Sequence, residues 1–236
     1  DCLLSRGLGD VYKRQAMPRS ATLCAIAVIG GAFYIYATAS ANTWLAFATK
    51  PIPVLILMLW LAGMPAATYR RWILTGLAFS MLGDLALAWP SDLFIIGLAA
   101  FFCAHLAYLR AYLDDTRQTA PGALLIALAC GSSLFGMLAW NGLGELLIPI
   151  AAYALVISAM LWRALACGGL AAFGAASFVL SDSLIGVDRF VSPFSAAPYL
   201  IILFYWFGQW AIAGSAHRQA FAIPLTQAAT ASNKSV

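Results

Sequence analysis

The chain has 236 residues, of which 63% are hydrophobic and only 9% are charged. Soluble domains carry about 25% charged residues, so this composition excludes a water-soluble globule and indicates a polytopic membrane protein. The net charge of +4 does not indicate nucleic-acid binding, because the arginines are spread over segment ends instead of forming a basic patch.

The first residues, 1–16, do not resemble a natural terminus. Their DVYKRQ stretch resembles a sequencing-adapter end read through as protein, so we interpret 1–16 as a non-native artefact and expect the natural start at Met17. The apolar run that follows could be a signal peptide, but its length favours a membrane span. We expect one transmembrane domain over 17–216 and a disordered cytoplasmic tail over 217–236, which is rich in Ala, Ser, Thr and Gln.

Eight apolar segments follow one another along the chain, separated by short connections. Each approaches the roughly 17 to 25 residues that a helix needs to cross a bilayer, and an open chain can satisfy its backbone in lipid only as a helix. The sequence therefore predicts an all-α membrane protein with eight transmembrane helices, over approximately Ala21–Ala39, Leu45–Gly63, Trp72–Trp89, Leu93–Leu113, Pro121–Ala139, Leu146–Trp162, Gly169–Val187 and Ala196–Ser215.

The arginines test this count, because Lys and Arg concentrate in cytoplasmic loops. With eight alternating segments, one side of the membrane receives only Arg189. The other side receives Arg19, Arg70, Arg71, Arg110, Arg117, Arg163 and Arg218. We therefore predict that both termini are cytoplasmic, and we expect a multi-pass protein of the bacterial inner (cytoplasmic) membrane.

Two of the apolar segments contain an aspartate within a similar motif. Segment three reads GLAFSMLGDLAL and contains Asp84, whereas segment seven reads GAASFVLSDSLI and contains Asp182. An ionised Asp near the centre of a bilayer costs roughly 2.5 to 3.5 kcal/mol, so such residues usually face a polar cavity and serve a function. The repetition suggests a tandem repeat of four plus four helices, although composition alone can also produce such a match.

Lys50, in the TKPIP stretch of segment two, is the natural counter-charge for these aspartates. Counted along the predicted segments, Lys50, Asp84 and Asp182 each lie about 7 to 8 Å below the same membrane edge. We therefore predict that these three side chains close on one cavity and act as the catalytic residues.

Other polar residues are candidates for binding substrate around this cavity. Ser80 lies one helical turn before Asp84, and Ser181 is adjacent to Asp182, so we expect both hydroxyls to hydrogen-bond the carboxylates. His105 and Tyr108 share a face of segment four at roughly 18 Å or more from that edge, deeper than the aspartates, and we interpret His105 as an interior hydrogen-bonding residue. Gln209 is a weaker candidate.

The residue types argue against metal chemistry. A catalytic zinc usually takes three protein ligands, commonly His, and the chain has only 2 His. We expect no metal and no cofactor, which leaves paired carboxylates and a cation as the chemical groups.

With these motifs in this order, the chain resembles the YhhN-like lysoplasmalogenase family of integral membrane hydrolases. The resemblance covers Ala21 to Ser215 and is carried by TKP at 49–51, the motif ending at Asp84, the GLAAFFCAHLAY run at 97–108, Ser181–Asp182, and the late Tyr205 and Gln209. It implies hydrolysis of the vinyl ether bond of a lysoplasmalogen to a fatty aldehyde and a glycerophospho-headgroup. The implied partners are a lysophospholipid substrate and membrane lipids, with no nucleic acid.

Carboxyl groups suit this chemistry, because an enol ether is cleaved by protonation of its β-carbon followed by capture of the oxocarbenium ion by water. One carboxyl group has to be protonated and the other ionised. Lys50 and Asp84 lie in segments two and three, which are neighbours in the sequence, so we assign Asp84 as the ionised partner and Asp182 as the acid, while the reverse assignment stays open.

Three alternatives remain. The charged residues could form a structural polar cluster. The protein could be a small proton-coupled transporter, although the shallow placement of the charges and the lack of Gly or Pro breaks in matched helices argue against that. It could also be a non-catalytic lipid-binding protein.

Overall fold

The computed structural model describes the backbone of residues 2–232 and the side chains of residues 21–217. The side chains of 1–20 and 218–236 lie outside the described part, so the interpretation of 1–16 as an artefact and of 217–236 as a disordered tail stays a prediction. Over the described residues all regular secondary structure is helical. Its helices are α1 (Cys2–Ala39), α2 (Thr43–Thr49), α3 (Ile52–Ala62), α4 (Thr68–Ala88), α5 (Phe94–Asp115), α6 (Pro121–Trp140), α7 (Leu147–Cys167), α8 (Gly169–Phe190) and α9 (Ala197–Ser232), with a 3-10 turn at Gly144–Leu146 before α7.

Eight stretches of the described chain are long and apolar enough to cross a membrane, which confirms the predicted number. They are Ala21–Ala39, Thr43–Ala62, Thr68–Ala88, Phe94–Asp115, Pro121–Trp140, Gly144–Cys167, Gly169–Phe190 and Ala197–His217. The side of the membrane on which each end lies remains a prediction.

The second span is two helices instead of one. α2 ends at Thr49 and α3 begins at Ile52, so Lys50 and Pro51 lie at the junction between them. Pro51 and Pro53 have no backbone N–H, so neither can donate the hydrogen bond that would continue α2 into α3. The junction places the charged Lys50 at a discontinuity within the span. In the predicted repeat of four plus four helices, the second span corresponds to the sixth. The sixth span contains α7, which is continuous over Leu147–Cys167.

The two aspartate-bearing helices, α4 and α8, each pack closely against the helix that follows them. The glycine eight residues before each aspartate allows this approach. A Cβ placed on Gly76 would lie 2.2 Å from Tyr108 of α5, and one placed on Gly174 would lie 2.8 Å from the backbone nitrogen of Ile212 in α9. Any larger residue would therefore push apart the helix pairs that hold the aspartates in place.

Candidate active site

Asp84 lies in a buried ion pair between the second and third spans. The Nζ atom of Lys50 is 3.5 Å from Oδ1 of Asp84. On the other oxygen, the hydroxyl of Tyr205 in α9 donates a hydrogen bond of 2.6 Å to Oδ2. Only 1% of Asp84 is exposed. A cation and a hydroxyl donor thus contact the two oxygens of the Asp84 carboxyl group.

A second polar group lies beside this pair and does not include the carboxylate. The hydroxyl of Tyr108 donates to Oε1 of Gln209 over 2.7 Å, and it lies 3.2 Å from the hydroxyl of Ser80. All three side chains are buried. The structure therefore brings these three predicted residues together. The expectation that Ser80 bonds Asp84 is wrong, because its hydroxyl faces Tyr108 across α4 and α5.

Asp182 has different partners from Asp84. The hydroxyl of Tyr153 in α7 donates to Oδ2 of Asp182 over 2.5 Å, and Nε2 of His105 in α5 is 3.1 Å from the same oxygen. Nε2 is also 2.8 Å from the Tyr153 oxygen. Because a histidine ring nitrogen donates or accepts according to its tautomer, His105 can donate a hydrogen bond to the Asp182 carboxylate or accept one from the protonated carboxyl group.

His105 lies closer to Asp182 than the depth count from the sequence suggested. α8 continues to Phe190, so Asp182 lies eight residues, or about 12 Å, from the end of its helix. α5 begins at Phe94, so His105 lies eleven residues, or about 16 Å, from the same end of the bundle. The difference in depth between His105 and Asp182 is therefore smaller than the sequence predicted, and the two side chains can bridge it.

Ser181 does not bond its neighbour Asp182, contrary to the expectation. Its hydroxyl donates to the backbone carbonyl of Ile201 over 2.9 Å. Adjacent residues on a helix point about 100° apart, so Ser181 faces α9 while Asp182 faces α5 and α7. We conclude that Ser181 anchors α8 to α9 and that its hydroxyl is not positioned to serve the acid.

An aromatic layer separates the two aspartates. The ring of Phe178 packs against His105 on one side and Tyr205 on the other, with centroids 4.7 and 5.4 Å away. Phe101 packs against both Phe178 and Tyr205. The predicted three-residue cavity is therefore two polar clusters, Lys50–Asp84–Tyr205 and His105–Tyr153–Asp182, with phenyl rings between them.

The His105–Tyr153–Asp182 cluster opens onto a cavity. A narrow crevice of about 80 Å³ runs between α5, α6, α7 and α8. In the described part of the chain, Asp182 is the only charged residue that lines it, and Tyr153 lies beside it on the wall. The rest of the wall is mainly apolar and includes Leu87, Phe94, Leu98, Phe101, Ala127, Leu134, Leu138, Ile150, Ile157, Leu161, Gly186 and Phe190. A slender apolar ligand would thus meet a carboxyl group partway along its length.

An ion pair lies at the end of the crevice where α8 finishes. Nη2 of Arg189 donates to Oδ2 of Asp92 over 2.7 Å, and the guanidinium carbon lies 4.0 Å from the centroid of the Phe94 ring. The hydrogen bonds from Arg189 and from the backbone N–H of Phe94 hold the pKa of Asp92 below its usual range. Asp92 is therefore ionised at neutral pH.

Within the described part of the chain, no group of three or more His, Cys, Asp or Glu could hold a metal ion. The expectation that the protein uses no metal and no cofactor stays a prediction.

Tyr153 is a site residue that the sequence did not predict. A tyrosine in an apolar helix is usually a packing residue, and nothing in its neighbourhood distinguishes it. The one available signal is that a buried tyrosine hydroxyl usually finds a hydrogen-bond partner, so the span containing Tyr153 had to face a polar group.

Known proteins are similar to this chain over most of its length. The model of the YhhN family matches residues 45–216. The chain is similar to human lysoplasmalogenase TMEM86B, with 36% identity over 75% of this chain and 77% of that protein. The corresponding rat protein is 34% identical over 79% of each chain. A lysoplasmalogenase of Mycobacterium tuberculosis is 34% identical over 61% of this chain and 64% of its own length. No solved structure matches the chain.

Proposed function

Because the chain belongs to the YhhN family, we propose that it hydrolyses the vinyl ether bond of lysoplasmalogens within the membrane, releasing a fatty aldehyde and a glycerophospho-headgroup. The family model covers most of the chain, and relatives from mammals and mycobacteria bear the name lysoplasmalogenase. The chain is accordingly an enzyme, and the substrate and the mechanism are the proposed part.

The position of Asp182 is the observation that carries this proposal. Its carboxyl group lines an apolar crevice and has Tyr153 and His105 as partners. The rest of the wall suits an alkyl chain, because burying each methylene is worth about 0.8 kcal/mol. A lysoplasmalogen combines such a chain with an acid-sensitive bond, so the crevice supplies both an apolar binding surface and a proton donor.

In the proposed reaction, neutral Asp182 gives its proton to the β-carbon of the vinyl ether. The double-bond electrons form the new C–H bond, and the oxygen lone pair stabilises the resulting oxocarbenium ion. Water then attacks the cationic carbon, and the Asp182 carboxylate accepts a proton from that water, which regenerates the acid. The hemiacetal finally breaks its bond to the glycerol oxygen, giving the aldehyde and a free glycerol hydroxyl.

His105 and Tyr153 support Asp182 in this scheme. Both contact Oδ2, so they fix the carboxyl group against the crevice wall and stabilise its charge after the proton has left. Asp84 is assigned an electrostatic role. Lys50 and Tyr205 occupy its two oxygens, and the layer containing Phe178 separates it from the crevice.

One observation favours a transporter as the second candidate function. The break between α2 and α3 puts a charged residue at a discontinuous helix, which is a feature of substrate and ion sites in transporters. A transporter would carry a solute across the membrane without converting it to a product. The experiment that tests the proposed function therefore has to measure a product.

We suggest reconstituting the purified protein in liposomes with 1-alkenyl lysophosphatidylethanolamine and measuring aldehyde release. The matched control is the saturated 1-alkyl ether, which has no double bond to protonate and should give no aldehyde. Activity should also persist with a metal chelator present. A folded, reconstituted protein that releases no aldehyde from the alkenyl lipid would contradict the proposed function.

A further inference from the structure

Arg189 stands apart from the other arginines. Among the side chains that the structure describes, it is the only arginine at the end of the bundle where α4 ends and α5 begins. The others lie at the opposite end, at the start of α4, the end of α5, the loop that follows it and the end of α7, and are Arg70, Arg71, Arg110, Arg117 and Arg163. The usual preference of arginine for cytoplasmic loops accounts for those five and not for Arg189.

The contacts of Arg189 fix it at the rim of the crevice. Its guanidinium stacks over Phe94, and Phe94 packs against Phe190 with ring centroids 5.9 Å apart. Both rings line the crevice. The hydrogen bond to Asp92 engages one nitrogen, Nη2, out of a guanidinium group with five N–H donors. With 39% of its side chain exposed, Arg189 can still meet a ligand.

Stability alone does not explain this arrangement. The side chains of the Arg189–Asp92 pair are 39% and 68% exposed, and exposed ion pairs contribute little to the free energy of folding. The pair does hold a guanidinium in a fixed orientation over an aromatic ring. Such pre-organisation is valuable when a second anion has to be recognised.

Arg189 and Asp182 belong to one face of α8. They are seven residues apart, which is close to two helical turns and about 10.5 Å along the axis. Gly186 and Ile185, between them, both line the crevice. A ligand lying along this face would therefore contact both residues at once.

We propose that Arg189 binds the phosphate of the lysophospholipid headgroup and so sets the vinyl ether bond opposite Asp182; this inference rests on the proposed function. Seven bonds join the β-carbon, which takes the proton, to the phosphorus, which is about 8 Å in an extended chain. A charge-assisted hydrogen bond from a guanidinium adds about 2.7 to 2.9 Å. The sum is close to the spacing of the two residues along α8.

The two contacts, at Arg189 and at Asp182, also determine where the hydrocarbon chain lies. With the phosphate at the rim and the vinyl ether at Asp182, the alkyl chain continues away from Arg189 along Ala127, Ile157 and Leu161, which line the crevice further into the bundle. The phosphate contact therefore selects one orientation of the substrate, in which the alkyl chain enters the crevice first and the vinyl ether bond lies beside Asp182.

The test compares two substrates that differ only in the phosphate group. Arg189→Gln should raise KM for 1-alkenyl lysophosphatidylethanolamine by about tenfold to a hundredfold, as expected when a hydrogen bond to a charged group is lost, with kcat nearly unchanged. Its kinetics on 1-alkenylglycerol of equal chain length should match those of the wild type. Arg189→Lys should be intermediate on the phospholipid. Arg71→Gln, an exposed arginine at the other end, is the matched control and should behave as wild type on both.

An equal increase in KM on both substrates would indicate a structural role for Arg189 and overturn the inference. Unchanged kinetics on both substrates would also overturn it. A binding measurement separates this outcome from failure of the proposed function. The probes are 1-alkyl lysophosphatidylethanolamine and 1-alkylglycerol, which have no vinyl ether to cleave. If the wild type hydrolyses nothing, the proposed function fails, yet selective loss of phospholipid binding in Arg189→Gln would still support the phosphate site. Unchanged binding of the phospholipid in that variant would overturn it even in an active enzyme.

Discussion

The ammonium group of Lys50 lies 3.5 Å from Oδ1 of Asp84, at the junction where α2 gives way to α3. The side chains of the two residues are 12% and 2% exposed. The pair thus joins a break in one span to an unbroken neighbouring helix, and each charge depends on the other for its burial.

Lys50→Met should destabilise the protein by about 3 to 5 kcal/mol, because it leaves the Asp84 carboxylate buried without its cation. The double variant Lys50→Met/Asp84→Asn removes both charges and should recover most of the thermal stability. Thermal unfolding in detergent measures both effects. Equal melting temperatures for Lys50→Met and wild type would show that the pair contributes nothing to stability.

Asp182→Asn should reduce kcat by 10²- to 10⁴-fold, which is the usual contribution of general acid–base catalysis. Asp84→Asn should also remove most activity, through loss of its charge. Asn keeps the size of Asp, so both variants should fold, although Asp84→Asn leaves the Lys50 ammonium without its anion and should be the less stable of the two. Asp114→Asn, which removes an exposed partner of Arg110, is the control and should retain activity. If both variants fold and turn over lysoplasmalogen within about threefold of wild type, the site assignment is wrong.

Tyr153→Phe should lower kcat by about tenfold, because it removes the hydroxyl that donates to Asp182 and leaves the ring in place. Tyr112 offers a matched control, since its buried hydroxyl has no hydrogen-bond partner among the residues that the structure describes. Tyr112→Phe should therefore keep full activity and equal or greater stability. Steady-state kinetics of the two variants, measured side by side, check the prediction. Equal kcat values for Tyr153→Phe and Tyr112→Phe would show that Tyr153 is not a site residue.

Ala127→Leu should shorten the alkyl chains that the enzyme accepts. Ala127 is 1% exposed and lines the crevice beyond Asp182, and each methylene excluded from an apolar site costs about 0.8 kcal/mol, or roughly fourfold in kcat/KM. Long-chain substrates should lose more than short-chain ones. Ala129→Leu, on the exposed side of the same helix, should leave the chain-length profile unchanged. If Ala127→Leu lowers kcat/KM equally for all alkyl chain lengths, the alkyl chain of the substrate lies elsewhere.

The topology prediction follows from an even number of spans and the placement of the arginines. Tags near Met17 and after Val236 should both be cytoplasmic, while a tag between Asp188 and Pro193 should lie on the other side. Accessibility to a membrane-impermeant reagent distinguishes the two sides. Termini found on opposite sides would contradict eight spans.

The sequence by itself determined the fold class, the number of spans and the family motifs. Whether a stretch crosses a membrane depends on the transfer free energies of its own residues and on its length, which are local properties. The Lys50–Asp84 contact was also predictable, because neighbouring spans joined by a short loop pack together and residues at similar depths can meet.

Only the tertiary structure decided which polar residues share a cluster. Depth along a helix can be counted, but the direction in which a side chain points depends on how the helices rotate and tilt against one another. Packing at Gly76 and Gly174 sets that rotation through contacts distant in sequence. It turned Ser181 toward Ile201, brought His105 and Tyr153 to Asp182, and put Phe178 between the two aspartates. These outcomes depend on the close fit of many side chains at once, which hydropathy and spacing do not encode.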